Sequence, residues 1–291
     1  MTAGEGRSAD PTDPMTALTR LRNPATQRAD PKTRWLLEAG LDAISASFKE
    51  PRPTSDLPLR VVWPTQERIV ARYREHREPR ATRGVLEHRW RTMPDYYCDL
   101  FTWSLHPGQY AAHRGMAQHA APQVVGAADL AAAARAIARA ELEDVFARPL
   151  FRMKLLICVM DPVAPVFRDA LARFYAAATD WWSEAYRAIL AAAGLELRGE
   201  IALGTFAALM TAMEEGLALR YAARPEEFGN SIENLADSLA LGALALINGS
   251  TAEPGRTTTL AEHLRNRFGG VGAHDGTGPG PQSGGGLPEP G

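Results

Sequence analysis

The stretch that decides the fold is Arg80–Leu105, RATRGVLEHRWRTMPDYYCDLFTWSL. It opens on a short basic piece with a helix-start residue at Thr82, passes through the turn His88-Arg89-Trp90-Arg91, and continues as an aromatic, amphipathic run. Val85, Leu86 and Trp90 are spaced to form the buried side of a helix beginning at Thr82. Thr92 can cap a further helix, with Pro94 in its first turn and Tyr96, Tyr97, Leu100, Phe101 and Leu105 facing inward.

Working backwards, Pro79 stops a preceding helix, Thr65–His76, that carries Ile69, Val70 and Tyr73 on one side. Three short helices thus fall between Pro64 and Leu105 with tight connections, the layout of a helix-turn-helix. From Arg60 to Arg91 there are nine Arg against four Glu. That local positive excess suits attraction to phosphates, although a solvated helix face carries the same pattern. Upstream, Asp30-Pro31 starts a helix to about Phe48 with Trp35, Leu36, Ala39, Ile44 and Phe48 at helical spacing. Lys49–Pro58 has three prolines and reads as a loop. Residues 1–30 are dominated by Gly, Ser, Thr, Asp and Pro and are expected to be a disordered tail.

Downstream, 107–128 reads as a connection punctuated by small residues, with His106, His113 and His119 as exposed linker histidines whose spacing does not suit a metal. Asp129–Ala147 is an Ala-rich helix, and Leu150–Met160 is a dense apolar run ended by Asp161-Pro162. Pro165 opens the longest helix, to Ala193, closed by Gly194. Further helices are expected over about 200–222 and over Ile232–Ile247, the last capped by Asn230 or Ser231. No credible strand is visible. After 250 order fades, apart from a short amphipathic helix over Thr259–Phe268, because 269–291 holds ten Gly and four Pro. The expected fold is therefore all-α: an N-terminal helix-turn-helix head (31–106), the connection, a helical regulatory and dimerisation domain (129–250), and a tail (251–291).

Hydrophobic residues at 45%, charged residues at 23% and a net charge of −2 are ordinary for a globular chain. No apolar run is long enough to span a membrane, the N-terminus lacks a signal-peptide pattern, and Cys98 and Cys158 read as reduced thiols, so a cytoplasmic location is expected. No nucleophile–base pair, phosphate-cradling loop or paired-acid motif marks an enzyme, and no cofactor or metal site is indicated.

The order of these elements resembles the TetR family of transcriptional regulators. The first helix, Arg34-Trp35-Leu36-Leu37-Glu38-Ala39, is similar to that family's opening pattern. Ala81-Thr82-Arg83-Gly84-Val85-Leu86-Glu87-His88-Arg89-Trp90 resembles its recognition helix, with Thr82 at the family's Ser or Thr, Gly84 at its Gly, Leu86 at its core Leu and Trp90 at its aromatic. The resemblance extends over about Lys32–Asn248. It implies a homodimer formed by the last two long helices, double-stranded DNA as partner, and a small apolar effector bound in the helical domain. The DNA-contacting set would be Thr82, Arg83, Gly84, His88, Arg89 and Arg91. The cavity lining would come from Met153, Ile157, Phe174, Trp181, Trp182, Phe206 and Met210, although such residues also simply pack. The chain departs from the family at Glu87, at the Gly-less turn Glu78-Pro79-Arg80-Ala81 and in its long proline-rich link. Two readings stay open: a ligand-responsive DNA-binding regulator, and a helical ligand-binding or scaffold protein whose head no longer binds DNA.

Overall fold

A computed structural model describes residues 12–49, 63–147, 151, 153–154, 165–256 and 258–268. The fold is all-α. Eleven helices are present among the described residues: α1 Pro24–Gln27, α2 Pro31–Lys49, α3 Gln66–His76, α4 Gly84–Glu87, α5 Met93–Ser104, α6 Ala111–Val125, α7 Leu130–Ala147, α8 Pro165–Ala193, α9 Leu203–Ala223, α10 Ile232–Ser250 and α11 Leu260–Phe268. Short 3-10 turns lie at Pro14–Ala17, Pro107–Tyr110 and Pro225–Phe228.

The caps explain where the helices begin. Thr65 accepts from the amide of Arg68 at the start of α3, and Thr92 from that of Asp95 at the start of α5. Ser231, rather than Asn230, caps α10 by accepting from the amides of Glu233 and Asn234; each such oxygen satisfies a donor that the first helical turn leaves open. Gly194 ends α8 with φ +64°, where a side chain would be strained.

The head contains α1–α5. Its core joins Leu36, Leu37, Ile69, Tyr73, Leu86, Trp90, Tyr96, Leu100 and Phe101. The expectation of a disordered tail over 1–30 is corrected for residues 12–30, which belong to this head; residues 1–11 lie outside the described residues. Met15, Leu18 and Leu21 are buried, each contributing about 1.5–3 kcal/mol by leaving water. The carboxylate of Asp99 accepts from the amides of Thr19 at 2.8 Å and Arg20 at 3.0 Å, and from the indole N–H of Trp90 at 2.9 Å. The amide of Arg22 donates to the carbonyl of Arg89, and the Gln27 side chain to that of His88. A strap of little regular structure, with one 3-10 turn and the single-turn α1, is thus held by polar bonds to residues far away in the chain.

The body is built by α6–α10. The expected connection at 107–128 is also corrected: most of it is α6, a helix that tolerates Pro122 in its last turns and buries Ala117, Ala120 and Ala121. Small side chains let α6 lie closely along α8, and α10 packs in the same way along α7. Head and body share apolar material, because Ala170, Leu171 and Phe174 at the start of α8 belong to the core that holds Tyr96 and Leu100. The described residues do contain a sheet, contrary to expectation, but it is one antiparallel pair of two residues each, Glu196–Leu197 with Thr251–Ala252. Beside it the buried Arg198 donates to the carbonyls of Gly249 and Thr258 and fastens the end of α10.

Candidate functional site

Two arrangements require a functional account: the surface around α4, and a cavity in the body.

Around α4 the helical backbone is longer than the four residues of regular α-helix. Arg83 and His88 have helical φ and ψ, and the amides of Arg89 and Trp90 both donate to the carbonyl of Leu86. Thr82, Arg83, Gly84, His88 and Arg91 are exposed. Thr82 does not cap with its hydroxyl; its carbonyl accepts from Val85. Arg83 pairs with Glu67 at 2.5 Å, and Glu87 accepts from the side-chain amide of Gln66 at 3.3 Å.

Arg89 is corrected as a DNA-contacting candidate. Its side chain is 4% exposed and pairs with Asp30, while its other N–H groups donate to Thr33 Oγ1 at 3.1 Å and the Val85 carbonyl at 3.1 Å. A guanidinium with its donors committed inside the head is a structural strut, not a reader of base edges. The sequence missed Arg22, which the strap brings beside Arg91, Gln66 and Glu87 around a polar depression.

The body's cavity has a volume of about 160 Å³. Its walls come from α6, α7, α8, α9 and α10 and are almost wholly apolar: Ala120 and Val124, Ala134 and Ile137, Trp182 and Ile189, Met210 and Met213, Leu239 and Ala243. Of the expected lining, Trp182 and Met210 are there. Phe174 instead lines a smaller neighbouring cavity of about 40 Å³. Met153 is buried in the core shared with the head, Phe206 is buried edge-on against Tyr186, and Trp181 is half-buried between two core clusters, so these three are packing residues. Ile157 lies outside the described residues.

The polar residues of the cavity were not foreseen. Glu141 of α7 and Glu214 of α9 both line it, and they are 3% and 8% exposed. His113 is no exposed linker histidine. Its side chain is 12% exposed, with Nδ1 3.3 Å from Glu141 and 3.9 Å from Asp144, and the Trp182 indole donates to its Nε2 at 3.4 Å. On the far side, the Lys154 ammonium pairs with Glu215 at 2.7 Å and lies over the Phe174 ring at 4.7 Å. Tyr175 donates to the same Glu215 carboxylate at 3.1 Å. Glu214 and Thr211 line both cavities and so stand between them.

Burial pushes the Glu214 carboxyl up to about 7; Lys154 pulls it back, while Glu215 and Asp144 push it further. The Tyr186 hydroxyl, buried near Glu214 and Glu141, is raised as well. A signal for Glu214 does exist in the sequence: Phe206, Met210 and Glu214 recur every four residues, which places a carboxylate on a buried stripe. Among the described residues no group of three or more His, Cys, Asp or Glu side chains is arranged to hold a metal ion. None of the described helices is long and apolar enough to cross a membrane.

Fold and site together define an all-α protein whose helical body carries an apolar cavity with acidic groups in its wall. Comparison with family models, curated proteins and solved structures finds no match for this chain.

Proposed function

We propose that the protein is a ligand-responsive regulator of TetR-like build that takes a small molecule into the cavity of its body. The observation that carries this reading is the cavity itself. At about 160 Å³ it matches the space of roughly 150 Å³ that holds a benzene-sized guest in a protein interior. Apolar walls with a few convergent polar groups are the usual composition of a small-molecule site.

The same reading makes the protein a homodimer through α9 and α10. On α9 the exposed stripe Thr205, Ala208, Leu209, Ala212, Gly216 and Leu219 carries no charge. On α10 Leu241 is 70% exposed. Small residues permit close approach of helices, and the exposed leucines supply apolar area for a second copy. The DNA partner rests on Thr82, Arg83, Gly84, His88 and Arg91, which stay accessible on the head.

A second reading, a ligand-binding protein whose head no longer contacts DNA, is favoured by the loss of Arg89 to the interior and by the pairing of Arg83 with Glu67.

The test of the ligand site is a thermal-shift screen of monocyclic aromatic compounds against the wild type and Ala243→Phe, in which a ring fills the cavity. Saturable stabilisation of the wild type alone is expected; equal response of both proteins, or of neither, removes the reading. Electrophoretic mobility shift with the DNA upstream of its own coding sequence separates the two readings of the head. The regulator reading expects a shift at low salt that Arg83→Ala and Arg91→Ala weaken. An absent or unaltered shift favours the second.

A further inference from the structure

The strap and the turn after α4 meet at one antiparallel bridge, Leu21 with Trp90, beside which the amide of Arg22 donates to the Arg89 carbonyl. Leu21 and Trp90 are buried. Side chains alternate between the two faces of extended chain, so their neighbours Arg20, Arg22 and Arg91 lie on the outer face, and all three are exposed. Arg89 departs from the alternation by reaching the Asp30 carboxylate inside the head. The side chains of Arg20, Arg22 and Arg91 make no hydrogen bond or ion pair with any described residue. The cations Lys32, Arg34 and Arg72 of α2 and α3, by contrast, pair with Glu78, Asp13 and Glu75. Arg80, in the turn before α4, is exposed and unpaired as well. Two carboxylates border the patch, but Glu87 is engaged by Gln66 and Asp95 by Thr92, and neither forms an ion pair with these arginines. Arg22 and Arg91 also line, with Thr92 and Met93 at the start of α5, a depression of about 290 Å³, where the first turn of that helix adds positive potential.

Resting on the reading of the head as DNA-binding, we propose that the strap is a second DNA-contacting element: Arg20 and Arg22 act with Arg91 to receive phosphates of the strand that runs along the flank of α4. The strap is fixed to the C-terminal end of that helix, since the Gln27 side chain donates to the His88 carbonyl. A helix lying in a major groove about 12 Å wide has a phosphate backbone on either side. The flank of α4 that carries the strap therefore meets backbone rather than bases, and a guanidinium suits a phosphate because its N–H groups form a fork that two oxygens can accept. Such contacts carry no sequence information; they raise affinity for any duplex and hold the reading helix in register. Asp99 is a positioning residue in this scheme, because its carboxylate holds the amides of Thr19 and Arg20 and so fixes where the strap's arginines start.

The experiment is fluorescence anisotropy of the full chain with two labelled duplexes of equal length, one from upstream of its own coding sequence and one of random sequence, between about 50 and 200 mM salt. Arg20→Gln and Arg22→Gln are each expected to lower the slope of log affinity against log salt by about 0.9 and to weaken both duplexes alike, by about five- to tenfold near 0.1 M salt. Arg22→Lys keeps the charge and is expected to retain most of the slope. Arg256→Gln removes the same charge beyond the small sheet, at the end of α8 remote from the head, and is expected to leave the slope unchanged. Slopes unchanged by both strap variants overturn the proposal and leave the DNA reading of the head standing. A loss confined to the duplex from upstream of the coding sequence also overturns it, because the arginines would then read bases. A slope lowered as much by Arg256→Gln as by the strap variants overturns it in favour of net charge alone. Failure of the wild type to bind either duplex at the lowest salt overturns both the strap's role and the DNA reading, and binding instead to phosphatidylserine vesicles, weakened by the same two Gln variants, would assign the patch to a membrane surface.

Discussion

Arg89 and Asp30 form an ion pair inside the head, joining the turn after α4 to the residue that precedes α2. The guanidinium is 4% exposed and its remaining donors go to Thr33 and Val85. Asp30 is 35% exposed and stays partly in water without it, but the buried Thr33 hydroxyl and the Val85 carbonyl lose their donor. Arg89→Ala is therefore expected to cost about 2–3 kcal/mol of stability, and the exposed Arg91→Ala less than about 0.5 kcal/mol. Urea unfolding of the two variants reads the difference; comparable losses would remove the structural role assigned to Arg89.

Asp99 is the anchor of the N-terminal strap. Asp99→Ala leaves the amides of Thr19 and Arg20 and the Trp90 indole without their acceptor, a loss of about 2–4 kcal/mol. The effect is local at first. Hydrogen exchange is expected to accelerate at Thr19 and Arg20 while the amides of α8 and α10 keep their protection. Uniform acceleration through the whole molecule would contradict the strap as a separable unit.

Much of the head was legible in the sequence because its signals are local. Thr65, Thr92 and Pro94 mark helix starts by their own chemistry, and Ile69, Val70 and Tyr73 mark a buried face by spacing. The strap was not legible, because what orders it is a carboxylate 80 residues away from Thr19. Arg89 failed for a related reason: charge and position on a helix do not say whether a long side chain turns outward or finds an Asp 59 residues upstream. In the body, the extent of α8 followed from periodicity and from Pro165 and Gly194, and the start of α10 from its cap signal at Asn230 or Ser231, whereas α10 runs past the expected Ile247 to Ser250. Trp182 and Met210 were placed in the lining, but Glu141, Glu214 and His113 were passed over, since their meaning depends on five helices meeting at one place.

Gly40 faces Tyr96 across the contact between α2 and α5. A β-carbon there would sit 2.0 Å from the Tyr96 hydroxyl oxygen. That hydroxyl donates to the Leu36 carbonyl at 2.8 Å, and its ring is fully buried, so it has little room to yield. Gly40→Ala is expected to destabilise the head by about 1–3 kcal/mol. Tyr96→Phe in the same background removes the clashing oxygen and should recover part of the loss. A denaturation midpoint unchanged by Gly40→Ala would show that the helices are not held at this spacing.

Glu214 sets the sign of one pH effect. Its carboxyl is raised in the fold from 4.5 to about 7, so the folded state holds the proton more tightly than the unfolded chain. Stability from this group is fully present below about pH 4.5, falls as pH rises, and is lost above about pH 7. The whole change is on the order of 3 kcal/mol. Glu214→Gln is expected to be more stable than the wild type at pH 8 and to flatten the decline between pH 5 and 7. Unfolding free energies measured across that range check it; a parallel pair of curves would mean that Glu214 does not titrate there.

The 29 residues of α8 have one further consequence. A helix of that length is a rod of about 43 Å, and no proline interrupts it after its first residue. Leu171 and Phe174 near one end are packed into the head, and Trp182, Tyr186 and Ile189 farther along face the cavity. A rod cannot take up a displacement by bending locally, so it acts as a lever. A tilt of only about 3° at the cavity carries the far end through about 2 Å, as large as the helix shifts that separate two states of a switching protein. On the proposed reading, an occupant of the cavity would reach α5 through this rod, because α5 packs against α8.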